Sequence, residues 1–240
     1  MQFLQAPKFT PVDIESNMTA SLDEIRNALK TFLQGHPGIK YVTPDASDFS
    51  FMRTTYNCSY TAVPLAIARP QTADDVATLV SYSTKHGIQF TVRSGGNSIF
   101  GWSCVQDALM IDLRDIDYVY VDEKKSSATV GGGILQTKLA RELSKEGLVT
   151  ATGSVSFVGL VGWSTYGGYG PLTSKYGLGL DNILGAKVVN AKGEVVVADK
   201  ELLKGIRGAG GAFGIIVELT VKAYPLGHAR HSLMISGSQS

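Results

Sequence analysis

Three glycine-rich stretches hold the residues whose types and spacing could do chemistry. The first, Arg93-Ser-Gly-Gly-Asn-Ser98, follows a run that alternates like a strand. Consecutive glycines let neighbouring N–H groups point to one side as a nest for an anion. Ser94, Asn97 and Ser98 add short polar donors around Gly95 and Gly96, with Arg93 at the strand end. The same residues would also serve as a tight surface turn. The second stretch, Val158 to Gly170, places five glycines among thirteen residues and interleaves them with Val, Leu, Trp and two Tyr, without a charge. Flexible linkers lack such aromatics. Small residues alternating with aromatic ones suit a flat conjugated ring that needs backbone against its face and apolar walls around it. A glycine-kinked buried turn is the alternative. The third stretch is Arg207-Gly-Ala-Gly-Gly-Ala-Phe-Gly214.

None of these is a standard phosphate motif. The chain has no GxxxxGK[ST], and Gly208-Ala-Gly210 with Gly214 is one residue out of step with GxGxxG and runs into a strand rather than a helix. The histidines do not make a metal site: His36, His86, His228 and His231 are far apart except for the last pair. Cys58 and Cys104 lack CxxC spacing and read as packing residues. No metal is expected.

The elements that must position these stretches alternate loosely between helix and strand, so the fold class is α+β. Ser21-Leu-Asp-Glu24 is a capping box, followed by Leu22, Ile25, Leu29 and Phe32 on one helical face and Gly35 as a stop. Residues 36–60 are mixed and polar. Leu65–Ala68 is a short apolar run, Thr72-Ala-Asp-Asp75 opens a helix with Val76, Leu79 and Val80 inward, and Gln89–Arg93 alternates as a strand. This predicts a strand–helix–strand unit whose second strand ends in the first glycine turn. Further strands are expected over 109–113, 118–121 and 127–130, a helix over 134–146, a hairpin of 183–189 with 194–197, and a final strand run over 212–224. The charged residues 123–125, 141–146 and 200–204 read as solvated faces. Residues 1–62 read as a lead-in with one helix, 63–226 as the main domain and 227–240 as a frayed tail.

Composition narrows the classes. Glycine is 27 of 240 residues, about 11% against an average near 7%, in four clusters rather than a repeat. With 22 basic and 21 acidic residues the net charge is +1. The longest basic block is Lys124-Lys125, so neither a nucleic-acid nor a polybasic membrane surface is expected. No apolar run approaches the roughly 18 residues of a membrane helix. The first residues lack a charged region followed by an apolar core, so the expected location is cytoplasmic, and the sequons at Asn17 and Asn57 read as chance.

Taken in order, the three motifs resemble one family. Arg93-Ser-Gly-Gly-Asn-Ser98, Gly162–Gly170 followed by Lys175-Tyr-Gly-Leu178 and Asp181-Asn182, and Arg207–Gly214 are similar to the FAD-binding domain of the vanillyl-alcohol oxidase / p-cresol methylhydroxylase superfamily, the PCMH type. Within it the likeness is greatest to berberine-bridge-enzyme-like oxidases. Ala68-Arg-Pro-Gln-Thr-Ala-Asp-Asp-Val76 looks like that domain's usual start, and the resemblance runs from about Val63 to Pro225.

The resemblance implies a domain of two α/β subdomains holding FAD. It implies that Ser94, Gly95, Gly96, Asn97 and Ser98, on Arg93, bind the pyrophosphate. Gly153, Ser154, Val158, Gly159, Gly162, Ser164, Gly168 and Tyr169 would lie along the ribityl chain and ring, and Gly214, Ile215 and Val217 would meet the adenine end. Two departures matter. Relatives often tether flavin through a histidine where this chain has Asn97, and some through a cysteine where it has Val155, so non-covalent FAD is expected. Trp163 stands where relatives often carry His. Val158 matches the position where a small residue admits oxygen. The family's substrate domain, which covers the flavin, has no counterpart in these residues, so the sequence reads either as a fragment or truncated relative or as a chain whose flavin face a partner chain or oligomer covers.

The resemblance implies an FAD-linked oxidoreductase: hydride passes from an alcohol or amine-type small-molecule substrate to flavin, with O₂ as reoxidant, in secondary-metabolite tailoring. Tyr166, Tyr169 and Tyr176 are the weak proton-handling candidates, against a plain packing role for each. The competing readings are a non-catalytic FAD-binding paralogue or subunit, and a nucleotide- or phosphate-binding module.

Overall fold

A computed structural model describes residues 21–227. The expected extended lead-in at 1–20, Asn17, and the tail with His228 and His231 lie outside the described residues. The first helix, α1 (Leu22–Gln34), starts where its capping box predicts, with the Ser21 hydroxyl accepting the Glu24 N–H and the Glu24 carboxylate accepting the Ser21 N–H. Its buried residues are Leu29 and Leu33, whereas Leu22, expected inward, is exposed because it sits on the first turn beyond the core. The mixed, polar residues 36–60 hold two short elements without periodic signal, β1 (Lys40–Val42) and α2 (Phe49–Met52).

Next come β2 (Ala66–Arg69), α3 (Ala73–Lys85), β3 (Phe90–Arg93) and β4 (Leu109–Asp112). A second capping box, Thr72 with Asp75, starts α3. The four strands form one sheet in the order β1-β2-β4-β3, with β2 and β3 both parallel to β4 and β1 antiparallel at the edge. The expected strand–helix–strand unit is therefore present, but β4 inserts between its two strands. Period-two alternation decides the faces. Ala66, Ala68, Leu109 and Ile111 pack towards α1 and α3, while Ile67 and Met110 pack with Phe49 and Cys104. With both faces covered, these strands read as continuous apolar runs.

The second sheet is antiparallel throughout. It comprises β5 (Val119–Val121), β6 (Ser127–Gly131), then, beyond α4 (Gln136–Lys145), β7 (Leu148–Val149), α5 (Leu160–Thr165) and α6 (Thr173–Tyr176), the hairpin β8 (Ile183–Val189) and β9 (Val195–Val197). After α7 (Lys200–Ala209) come β10 (Ile215–Lys222) and β11 (Tyr224–Pro225), the latter paired with β7. The order is β5-β6-β10-β8-β9. Leu139, Leu143, Leu160 and Ile206 of the helices share a core with Val130, Val188, Leu219 and Val221 of the sheet. Helix α7 occupies the stretch whose first residues read as a solvated face. Its charged side is indeed outward, but Asp199 caps it by accepting the Leu202 N–H and Ile206 is fully buried.

One irregularity joins the two halves. Between Ile216 and Glu218, β10 advances two residues while β8 advances one. The extra residue reverses the pleat. Ile215 and Val217 therefore point into the first core, and Ile216, Leu219 and Val221 into the second.

The edge of the first sheet is fastened by Asp115, which accepts hydrogen bonds from Arg69, from Lys40 Nζ at 3.1 Å and from Gln71 Nε2 at 2.8 Å. Burial pushes the Asp115 carboxyl up, but its bonds to Gln71 and Lys40 and the Arg69 charge outweigh this and hold it below its ordinary value of 3.8. A depressed carboxyl stabilises the fold fully above its unfolded value and loses that contribution as pH falls through the folded one. Asp115→Asn is therefore expected to cost about 1–3 kcal/mol at pH 7 and to show a smaller loss below about pH 4, as measured by urea unfolding at both pH values.

Candidate cofactor-binding site

A cavity of about 890 Å³ is lined by residues of both sheets and their connecting loops. That is near the upper end of small-molecule sites, roughly 300–1,000 Å³. Among the described residues its wall contains no Asp, Glu, Lys, Arg or His, and Tyr166 is the one lining side chain with an ionisable hydroxyl.

The turn that follows β3 forms one side. Ser94 Oγ donates to the Gly132 carbonyl at 3.0 Å, and Asn97 Nδ2 donates to the carbonyls of Gly95 and Phe157, both at 3.0 Å. The Gly96 carbonyl accepts the Tyr56 N–H at 3.0 Å. The Gly95 and Gly96 carbonyls of the turn are thus engaged. Its donors are not: the amides of Gly95, Gly96, Asn97 and Ser98 give no hydrogen bond to any described residue. Glycine is required here by proximity. A Cβ on Gly95 would lie 2.3 Å from the Gly159 nitrogen and 2.9 Å from the Phe157 carbonyl oxygen. Free amides at the wall of a neutral cavity are the donor set an anion needs.

The second motif forms the facing side, and part of it is helical rather than extended. Val158 and Gly159 lead into α5, which brings Gly162, Trp163 and Tyr166 to the wall. A Cβ on Gly162 would meet nothing within 4 Å. Trp163 is fixed by its indole N–H, which donates to the Tyr169 carbonyl at 3.2 Å. Glycines cradle its ring, since a Cβ on Gly153 or Gly168 would lie 2.9 or 3.0 Å from it. Tyr166 stands against Gly210, where a Cβ would lie 2.4 Å from the phenol ring.

The third motif and the β8–β9 hairpin close one end. Gly214 and Ile215 are on the wall there, with Val189, Asn190, Ala191 and Phe213.

Of the residues expected at the site, Ser94–Ser98, Val158, Gly159, Gly162, Tyr166, Gly214 and Ile215 line this cavity. Others stand elsewhere, each for a local reason. Arg93 is buried behind the turn and donates to the Met52 carbonyl at 2.7 Å. Burial pulls its guanidinium below its usual value; neighbouring Arg114 adds to the shift and Asp112 opposes it. Val217, on the same face of β10 as Ile215, packs in the first core, and its carbonyl accepts the Gly132 N–H at 2.8 Å. Gly153 and Gly168 support Trp163 from behind, and Ser164 Oγ donates to the Val161 carbonyl at 3.3 Å. Ser154 and Tyr169 are exposed, as is Val155, and Tyr176 stacks on Tyr224 with ring centroids 4.0 Å apart.

Several wall residues carried no assigned role in the sequence. Gly132 lies in a glycine cluster whose spacing marks it, but its partner Ser94 is 38 residues away. Phe100 and Trp102 follow the first motif directly and are exposed at the rim, a pairing that an aromatic pattern could have flagged. Asn190 and Ala191 read only as a hairpin turn.

Comparison with known proteins agrees with this geometry. The family model described as FAD binding domain matches residues 64–199. The chain is 40% identical over 202 residues to the FAD-linked oxidoreductase aurO of Gibberella zeae, covering 83% of this chain and 40% of that protein. It is 38% identical over 189 residues to (R)-6-hydroxynicotine oxidase of Paenarthrobacter nicotinovorans, covering 77% and 41%. Among solved structures, 6-hydroxy-D-nicotine oxidase from Arthrobacter nicotinovorans superposes with a TM-score of 0.75 at 36% identity over 78% of this chain and 42% of the other. A Physcomitrella patens berberine-bridge-enzyme-like protein gives 0.78 at 29% identity over 82% and 44%. The chain belongs to the FAD-binding-domain family, in the branch of FAD-linked oxidoreductases that includes the berberine-bridge-enzyme-like proteins. It spans about two-fifths of the length of the curated relatives described here.

The residues present fit FAD: free amides for a diphosphate, apolar walls for a ring, and a glycine where a side chain would intrude. Gly162→Ala is expected to leave the unfolding midpoint of the ligand-free chain unchanged or to raise stability by up to about 1 kcal/mol, since Ala replaces Gly within a helix. It should weaken FAD binding by about 1–3 kcal/mol by overfilling the cavity. Thermal unfolding and titration of FAD into the same samples check both halves.

Proposed function

We propose that this chain is the cofactor-holding part of an FAD-linked oxidoreductase that binds FAD non-covalently and oxidises a small alcohol or amine-type substrate with dioxygen as acceptor. The observation that carries the reading is the turn at Gly95–Ser98, whose four amides are free at the wall of an uncharged cavity. When bound, FAD supplies the hydride acceptor and hands the electrons on to dioxygen.

The chain's own residues divide the remaining work. The Gly95–Ser98 amides hold the diphosphate, Gly159 and Gly162 let backbone approach the ring system, and Trp163 forms a rigid apolar wall beside it. Val158, on the wall, is the small residue that leaves dioxygen a route. Tyr166 is the proton-handling group available at the wall, and its phenol is open to solvent. Non-covalent attachment is supported by the two side chains at the tether positions. The Asn97 amide is committed to two backbone carbonyls and is no nucleophile. Val155 is a hydrocarbon outside the wall.

A second reading, a non-catalytic FAD-binding subunit completed by a partner chain, is favoured by the same wall. One exposed tyrosine is a sparse acid–base set for substrate oxidation. The fungal relative aurO, named an FAD-linked oxidoreductase, supports the redox reading over this one. A role in secondary-metabolite tailoring is proposed on the same likeness.

Denaturing the purified chain and passing it through a filter tests the attachment. The expected outcome is a flavin spectrum in the filtrate; yellow retained with the protein would refute the non-covalent reading. A chain that stays colourless when given FAD would refute the flavoprotein reading itself. Because no charged side chain lines the cavity, the FAD dissociation constant should change less than about twofold between roughly 50 and 500 mM NaCl, measured by flavin fluorescence.

A further inference from the structure

The diphosphate reading leaves a charge to account for, since two negative charges would enter a wall without a cation. The nearest candidate is one layer back. Arg93 is 6% exposed, does not line the cavity, and lies under the Gly95–Gly96 backbone. A Cβ on Gly96 would stand 2.9 Å from Arg93 Nε and 3.1 Å from Nη2, so the guanidinium occupies the space beneath the turn that a side chain would need. Only its Nη1 is committed, to the Met52 carbonyl at 2.7 Å, and its Nε is buried without a partner. Asp112, its register neighbour across β3 and β4, is taken: Arg114 holds that carboxylate through Nε at 2.9 Å and Nη2 at 2.6 Å. Among the described residues no carboxylate forms an ion pair with Arg93. A buried cation without a partner is costly, and it lowers that cost by drawing an anion to the nearest accessible surface. The nearest such surface is the row of free amides.

We propose that Arg93 is the counter-charge of the phosphate site: a positioning residue that never touches the ligand and sets the site's preference for an anionic dinucleotide over a neutral flavin through the turn's backbone. In a poorly solvated interior such an attraction survives several ångströms and is little screened by salt. This inference rests on the FAD reading above, and deepens it by assigning the selectivity for phosphate to one residue outside the wall.

The test compares the wild-type chain with Arg93→Lys and Arg93→Gln, titrating each with FAD and with riboflavin, which carries the same ring without phosphate. The thermal midpoint of each ligand-free chain is recorded alongside. Arg93→Lys keeps the charge and is expected to hold FAD within about threefold of wild type. Arg93→Gln keeps a polar side chain without the charge and is expected to lose about tenfold or more for FAD, with riboflavin within about twofold. Three results would overturn the proposal. Both variants could lose FAD alike, riboflavin binding could fall as far as FAD binding, or the Gln variant could keep full FAD affinity. A falling ligand-free midpoint with both ligands weakened together would assign Arg93 to the fold alone. If wild type takes up neither ligand, the flavin reading fails and carries this one with it; wild-type binding with any of the three results above sinks the Arg93 role by itself.

Discussion

The site depends on one close approach of backbone to backbone. The turn after β3 and the segment entering α5 come together at Gly95 and Gly159, closer than any side chain at Gly95 would permit. That contact brings the end of the parallel sheet against a helix of the antiparallel one, and the hydrogen bonds around it follow. Asn97 and Ser94 reach across to Phe157 and Gly132 because the gap is only one side chain wide. The carbonyls of Gly95 and Gly96 are taken by Asn97 Nδ2 and the Tyr56 amide, while the four backbone amides from Gly95 to Ser98 have no partner among the described residues. Free donors on one side of a turn are a demand for an anion.

The neutrality of the wall then separates binding from chemistry. Every group that would hold a cofactor here is backbone, apolar side chain or short polar side chain, none of which carries a formal charge. The formal charges of Arg93, Asp112 and Arg114 stand off the cavity wall, Arg93 bonded to the Met52 carbonyl and Asp112 held by Arg114. Such a wall suits a cofactor that must be held in one orientation while it changes charge, because nothing around it has to respond.

The parts of this arrangement readable in the sequence were those fixed by neighbours in the chain. The capping boxes at Ser21 and Thr72 set their helices within one turn, and the alternation before Ser94 set a strand that hands over to the glycine turn. Resemblance to a known family then assigned the cofactor. What could not be read depended on distant partners. Nothing local says that β4 slides between β2 and β3, or that residues 40–42 add an edge strand. Arg93 and Val217 were expected at the cavity from their places beside motif residues. Arg93 lies under Gly96 instead, and Val217 packs in the first core. In α5 the glycines gave no periodic signal for a helix, which is held by burial of Leu160 and Val161 against the second core.

The irregularity in β10 bears on how the protein can move. A flavin site between two layers invites the picture of halves that swing apart about a hinge, but β10 is one continuous strand with Ile215 and Val217 in one core and Ile216, Leu219 and Val221 in the other. Separating the layers would mean tearing that strand from either set of partners, so the two halves make a single cooperative unit whose loosening is global unfolding and not a breathing mode. Traffic into the cleft is left to its rim, where Phe100, Trp102 and Phe213 stand half open to water. Among the described residues the mouth of the cleft is thus aromatic, set on a scaffold whose two layers share one strand.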